Sequence, residues 1–326
     1  MMIARNMNRS HDNSSLVQTV VHPRALPCEE PFLFEPPRGH ILRLWPPLRN
    51  FLNMIGFAGV IALTGGYTWA FSPFRVEYPQ VPMPLRDLPA SFEGFRIVQI
   101  TDLHTGRTAP VSFLRKVIHR VNQMNCDLVV VTGDLVSSRL RGVGPACELL
   151  GELNKPTIVT FGNHDYADRK QAWESTKIAD ALQANLEYRG ITVLRNRAVA
   201  IERPDGRIWI VGMEDLWSAR FSPRQAFSGI RTPGPIIALS HNPDTAEAMS
   251  HFGANWIIAG HTHGGQIRLP VLGSLTMPMK NKHLDQGLFR IGQASLYVCR
   301  GLGFRLRVRF RCPPEVPCFV LQRDNS

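Results

Sequence analysis

Five short polar motifs each stand where an apolar run stops: Asp102-Leu-His104, Gly133-Asp134, Gly162-Asn-His-Asp165, Ser240-His-Asn242 and Gly260-His-Thr-His263. This constrains the fold more than any other feature, because α/β folds collect ligands at the carboxyl ends of their strands. The preceding runs, Phe95–Thr101, Leu128–Thr132, Thr157–Phe161, Pro235–Ser240 and Asn255–Ala259, read as strands. Those that are apolar without a break are expected to be covered on both faces. Between the first two, Val111, Leu114, Val117, Ile118 and Val121 recur at the spacing of one helix face, with Pro110 at the start. Further helices are expected over Pro145–Leu153 and Lys170–Leu186, with a short one from Pro243. Strands are expected at Ile191–Leu194, Ala198–Glu202 and Arg207–Val211, around the turn Pro204-Asp205-Gly206, and the chain from Gln266 on reads as strand-rich. The layout predicts two packed sheets with helices outside.

The motifs occupy only part of the chain's 326 residues. Residues 1–50 hold seven prolines and no sustained helical or strand period, and read as a disordered tail. Residues 51–71 carry no charge, and 21 residues at about 1.5 Å each make roughly 30 Å, the thickness of a hydrocarbon layer. Tyr67, Trp69 and Phe71 at one end look like an interfacial aromatic belt. Four glycines and Asn53 count against a span, but the uncharged length favours a transmembrane anchor over a buried helix. The flanking arginines, Arg38, Arg43 and Arg49 before and Arg75 and Arg86 after, lean weakly towards the large domain lying outside. Five prolines in residues 72–90 suggest a stiff linker, so the folded domain is expected over 91–326.

Composition narrows the function classes. With 44% hydrophobic and 19% charged residues the chain is not a disordered or fibrous polymer. A formal charge of +11 suits an anionic substrate or a membrane surface. It does not read as a nucleic-acid groove, since aromatics are sparse and not interleaved with basic residues as a stacking platform requires. The six cysteines form no CxxC pair, which argues against a structural zinc ribbon. Cys312 and Cys318 are close enough in sequence to pair, though buried free thiols are the favoured reading.

Asp and amide oxygens and His nitrogens are ligands for Mn, Fe, Zn and related divalent ions. Residues at i and i+2 of extended chain point to one side, so Asp102/His104 and His261/His263 can each grip one locality. A carboxylate such as Asp134 can bridge two ions. Ions about 3.5–4 Å apart suit phosphoester hydrolysis. Any one of these motifs has an ordinary structural explanation; five in order, carrying five of the chain's eleven histidines, do not.

The ordered set DLH…GD…GNHD…H…GHTH resembles the calcineurin-like metallophosphoesterase superfamily over about residues 95–325. The resemblance implies a four-layer αββα sandwich with a two-metal centre. Asp102, His104 and His263 would hold the first ion, and Asn163, His241 and His261 the second, with Asp134 bridging. His164 would contact the phosphate and protonate the leaving group, and Asp165 would orient His164. GHTHGGQI (Gly260–Ile267), SHNPD (Ser240–Asp244), RFRCPPEV (Arg309–Val316) and the apolar N-terminal stretch are similar to the membrane-anchored bacterial branch. That branch includes UDP-2,3-diacylglucosamine pyrophosphatases of lipid A synthesis. It implies a single-pass anchor in a bacterial inner membrane, membrane lipids as neighbours and an anionic phosphoester substrate that is lipid-linked in that case. A nuclease or phosphoprotein phosphatase would use the same centre, and a non-catalytic membrane-attached scaffold is the reading of a different class.

One stretch departs from the branch. In Phe304-Arg-Leu-Arg-Val-Arg-Phe-Arg311, the residues Arg305, Arg307, Arg309 and Arg311 alternate with apolar ones. On a strand all four would share one face. Two readings stand for it: a phosphate or anionic-lipid contact, or a solvated edge whose charges deter aggregation.

Overall fold

The computed structural model describes residues 54–55, 59, 65–106, 109–166, 176–274, 277, 279–304 and 306–324. The first part of the chain forms β1 (Gln80–Leu85), β2 (Arg96–Ile100), α1 (Val111–Asn122), β3 (Leu128–Thr132), α2 (Val143–Gly151), β4 (Thr157–Thr160), α3 (Lys177–Tyr188) and β5 (Thr192–Val193). Next come β6 (Arg197–Arg203), β7 (Gly206–Gly212), α4 (Pro223–Phe227), β8 (Ile236–Leu239), α5 (Ala246–His251) and β9 (Trp256–Ala259). A small hairpin of β10 (Arg268–Leu269) and β11 (Gly273–Ser274) is followed by β12 (Gly287–Ile291), β13 (Ala294–Val298) and β14 (Cys318–Arg323). One six-stranded sheet has the order β1-β14-β2-β3-β4-β5, and a second has the order β12-β13-β9-β8-β7-β6. Strands β2 to β5 run parallel, as do β7, β8, β9 and β13.

Alternate residues of the central strands serve two different cores. All five residues of β3 are buried. Val129 and Val131 pack with Leu114, Val117, Ile118 and Val121 of α1 and with residues of α2 and α3. Leu128 and Val130 instead meet Ile237 and Leu239 of β8 and Trp256 and Ile258 of β9. The intervening Ala238, Ile257 and Ala259 turn away and pack under Phe227 of α4 and Met249 of α5. The period of two along each strand therefore stacks helix, sheet, sheet and helix. Each fully buried Val, Leu or Ile contributes about 1.5–3 kcal/mol by leaving water.

The structure departs from expectation in two places. Residues 72–90 are not a free linker: β1 pairs in parallel with β14 from Gln80↔Cys318 to Leu85↔Arg323. Its side chains alternate exposed and buried, with Val81, Met83 and Leu85 inward and Pro82 and Pro84 outward. Proline is tolerated there because β1 is an edge strand and needs no full ladder of N–H donors. The arginine run is not a strand either: among its described residues only Phe310 forms a bridge, to Ile267. Its three described arginines do not share a face, for Arg309 is fully buried while Arg307 and Arg311 are exposed; Arg305 lies outside the described residues.

Cys312 and Cys318 are both buried free thiols. The expected tail at 1–50 and most of the expected span at 51–71 lie outside the described residues; among the described residues no helix is long and apolar enough to cross a membrane.

Candidate metal centre

The carboxyl ends of β2, β3, β4, β8 and β9 converge, and each delivers one of the five motifs. Gln99 joins two of these ends from below, its Nε2 donating to Thr132 Oγ1 at 2.7 Å and to the Ala259 carbonyl at 2.9 Å. The backbone then turns sharply. Asp102, His104, Asp134, His261 and His263 all have positive φ, between 49° and 72°. Asp102/His104 and His261/His263 thus meet through left-handed turns, not through the extended chain that the i, i+2 spacing suggested. Gly133 and Gly162 let the β3 and β4 loops touch: a Cβ on Gly133 would stand 2.5 Å from Gly162 N.

Three overlapping groups result. Asp102, His104 and His263 form one, His104, Asp134 and His164 a second, and Asp134, His241 and His261 a third; in each group the ligand atoms lie within 4.8 Å of one another. Asp134 belongs to two of them. Its Oδ2 is 3.5 Å from His104 Nε2 and 3.2 Å from His241 Nε2. His263 Nε2 is 3.4 Å from Asp102 Oδ1. Asn163 sits at the end of β4, and its Oδ1 is buried with no hydrogen-bond partner, as are Asp102 Oδ1 and His261 Nε2.

These separations fit divalent ions. His104 Nε2 and His263 Nε2 are 3.0 Å apart, and His261 Nδ1 and His241 Nε2 are 3.1 Å apart. Two imidazole nitrogens each about 2.1 Å from one ion and at right angles around it would be roughly 3.0 Å apart. The tautomer of His241 also suits a ligand: Nδ1 donates to the Thr132 carbonyl at 2.8 Å, which leaves Nε2 to face Asp134. Burial disfavours charge on every group here, and the neighbours decide the outcome. Asp134 is buried, yet His241 and His164 hold its carboxyl well below the usual carboxylate range. Burial raises Asp102 to about 7. Burial favours the neutral ring of His241 too, but Asp134 and Asp102 raise it to about 10. Burial and the charge of His241 push His261 down to about 3, and burial and His104 keep His263 well below its ordinary value, so both rings are neutral.

His164 and Asp165 follow Asn163 on the same short turn, Asn163–Asp165. The His164 backbone N–H donates to Asp134 Oδ1 at 2.9 Å, and its ring Nδ1 is 2.6 Å from Ser138 Oγ. Asp165 does not orient that ring as expected. Its two oxygens accept the backbone N–H groups of Val136 at 3.0 Å and Gly162 at 2.9 Å, so the carboxylate ties the β3 and β4 loops together. Four further contributors have a role here that the sequence does not point to. Ser138 holds His164. Trp217 packs its ring edge-to-face on His261, 4.8 Å between centroids. The loop after β13 leans on Asp102, with Gly303 N donating to the Asp102 carbonyl at 2.6 Å and Leu302 N to that of Thr101 at 3.1 Å. Arg309 holds that loop from behind, its Nη2 donating to the carbonyls of Arg300, Gly301 and Gly303.

Comparison with known proteins agrees with this geometry. The family model described as calcineurin-like phosphoesterase matches residues 95–265. The chain is 32% identical over 288 residues to the uncharacterized metallophosphoesterase YkuE of Bacillus subtilis, covering 85% of this chain and 98% of that one. It is 33% identical to phosphodiesterase YaeI of Escherichia coli (70% and 82% covered). It is 31% identical to the UDP-2,3-diacylglucosamine pyrophosphatase LpxG of Chlamydia trachomatis (71% and 85% covered).

Proposed function

The chain belongs to the calcineurin-like phosphoesterase family, hydrolases of phosphoester bonds, and from that premise we propose that it is a two-metal phosphodiesterase or pyrophosphatase anchored to a membrane by residues 51–71. The observation that carries the two-metal reading is the position of Asp134, shared by the cluster with His104 and the cluster with His241 and His261. In this reading Asp102, His104 and His263 hold one ion and Asn163, His241 and His261 the other, with Asp134 between them; manganese is the first ion to test. Bound divalent ions supply the charge that polarises a phosphoryl group and the acidity that makes water a nucleophile at neutral pH.

The chain's own residues supply the rest. Asp134 stays ionised between the histidines, fixing where positive charge can sit. His164 has its Nδ1 engaged by Ser138, so Nε2 is the nitrogen that gives a proton to the departing oxygen. Trp217 covers one side of His261 and restricts water there. A diester or pyrophosphate is favoured by the likeness to YaeI and LpxG, and the latter supports a lipid-bearing nucleotide sugar as the specific substrate. The arginine bias around residues 51–71 leans against that substrate, because it leans the domain away from the cytoplasm where UDP-linked lipids are met.

The test uses metal content and hydrolysis of bis(p-nitrophenyl) phosphate with added manganese. Asp134→Ala is expected to lose metal and turnover together. His164→Ala is expected to keep its metal while turnover falls roughly 10²–10⁴-fold. An Asp134→Ala chain that retains both metal and full turnover refutes the reading.

A further inference from the structure

The apolar stretch 51–71 ends on the domain, with no spacer. Residues 65–70 are helical, and Ser72 and Pro73 are already buried. The Thr68 carbonyl accepts the backbone N–H of Arg309 at 3.1 Å. The Arg307 guanidinium lies 4.4 Å from the centroid of the Trp69 ring and 4.9 Å from that of Phe74. Phe74 in turn packs edge-on against the buried Phe304. The arginine segment is therefore the surface on which the end of the apolar stretch is docked.

Around this dock, large apolar side chains stand in solvent: Trp69 is 53% exposed, Phe71 69%, Leu306 71%, Leu272 72% and Val271 fully. They share one edge. Gln266 Nε2 donates to the carbonyls of Leu306 and Val308 at 2.8 and 3.0 Å, and Arg268 N donates to Phe310 O at 3.1 Å. The β10–β11 hairpin, whose tip carries Val271 and Leu272, thus lies beside the segment that carries Leu306. Gln266 is three residues beyond His263, so this edge is also a rim of the metal centre. Arg307 and Arg311 are exposed along this segment, while Arg268 pairs with Asp285 and Arg300 with Glu77 and Glu315.

We infer that the face made by Trp69, Phe71, Leu306 and the Val271–Leu272 tip rests in the headgroup layer of an anionic phospholipid bilayer, so that the metal centre meets phosphoesters presented at that layer. Aliphatic side chains enter the acyl boundary, while aromatic rings and the exposed guanidinium groups of Arg307 and Arg311 sit at headgroup level. This orientation presupposes the anchor proposed above and goes beyond it, since a tether alone brings a domain near a membrane without choosing its face. Contact between Thr68 and Arg309, with no spacer between, makes that choice.

The full chain, in a Cys28→Ser background, is reconstituted into vesicles of phosphatidylethanolamine and phosphatidylglycerol, with a bimane probe on Leu272→Cys, Leu306→Cys or Tyr188→Cys. Tyr188 is exposed at the end of α3, next to the start of β5 and so at the opposite end of the sheet from the metal centre. Hydrolysis of bis(p-nitrophenyl) phosphate by each labelled chain shows that it is folded, and Val271→Cys replaces either rim variant that fails this check. Doxyl-labelled lipid is expected to quench the probe at 272 and 306, with a blue shift of its emission, and to leave the probe at 188 unchanged. A chain that floats with the vesicles but is quenched equally or not at all at the three positions overturns the orientation and leaves anchor and hydrolase standing. A chain that does not float overturns anchor and orientation together, while hydrolysis of the soluble diester remains a separate measurement.

Discussion

Replacing Arg309 by methionine tests how the metal centre is supported from behind. The guanidinium is fully buried and, among the described residues, donates to backbone: Nη1 to the Cys312 carbonyl at 3.1 Å, and Nη2 to those of Arg300, Gly301 and Gly303 at 2.9, 3.1 and 2.7 Å. Methionine fills a similar volume and donates nothing. Each buried carbonyl left without a partner costs about 1–3 kcal/mol, while removing the buried charge returns several kcal/mol of desolvation, so a net loss of about 2–4 kcal/mol is expected. For a domain of this size that lowers Tm by roughly 4–16 °C. A second readout separates support of the site from stability in general. The carbonyls of Gly301 and Gly303 belong to the loop whose N–H groups hold the Thr101 and Asp102 carbonyls. Metal affinity measured by titration is therefore expected to fall about 10–100-fold, the usual effect of losing a residue behind a ligand. Arg309→Lys keeps the charge but reaches fewer carbonyls and should fall between. An Arg309→Met chain that melts as the parent does and binds metal equally well would refute the reasoning.

Two further outcomes follow from the same geometry. Gly301 has φ +64°, and a Cβ there would stand 2.6 Å from Asp102 Oδ2, so Gly301→Ala should lower metal occupancy, read by elemental analysis, far more than it lowers helix and strand content. Metal uptake should release protons: the metal-free chain holds one on His241, raised to about 10, and below about pH 7 a second on Asp102. Affinity should therefore strengthen as pH rises through neutrality, and calorimetric heats should depend on the ionisation enthalpy of the buffer; heats independent of buffer would contradict this.

Much of the catalytic domain was legible because its signals are local. The apolar run Leu128–Thr132 reads as a buried strand, and the period of Leu114, Val117, Ile118 and Val121 marks one helix face. The ligand residues were legible because their chemistry is concentrated at strand ends. What was missed depends on distant pairing. Pro79, Pro82 and Pro84 made 72–90 resemble a spacer, and only pairing with β14, far along the chain, turns those residues into an edge strand. The alternation of Arg305 to Arg311 mimicked a strand, but burial of Arg309 among the carbonyls of Arg300, Gly301, Gly303 and Cys312 breaks the period. Sequence adjacency points Asp165 to its neighbour His164, whereas Val136 and Gly162 offer N–H groups that only the folded loops bring to it.

The backbone at the centre bears on how the ions enter. Asp102, His104, Asp134, His261 and His263 all sit in the left-handed region, where a residue with a side chain costs about 1–3 kcal/mol. Five such residues store strain comparable to the whole stability of a domain, so contacts elsewhere in the chain have to offset it. The holders are visible in the chain itself: Gln99 ties the ends of β3 and β9, Asp165 ties the β3 and β4 loops, and Arg309 clamps the loop against Asp102. These clamps predict a cradle set by folding, unlike small zinc domains that fold only when metal binds. Chelation should abolish hydrolysis yet leave far-UV circular dichroism and near-UV side-chain signals essentially unchanged at ambient temperature, with a lowered Tm that returns on adding manganese. Loss of the near-UV signal on chelation would show that the ions, not these three clamps, hold the turns.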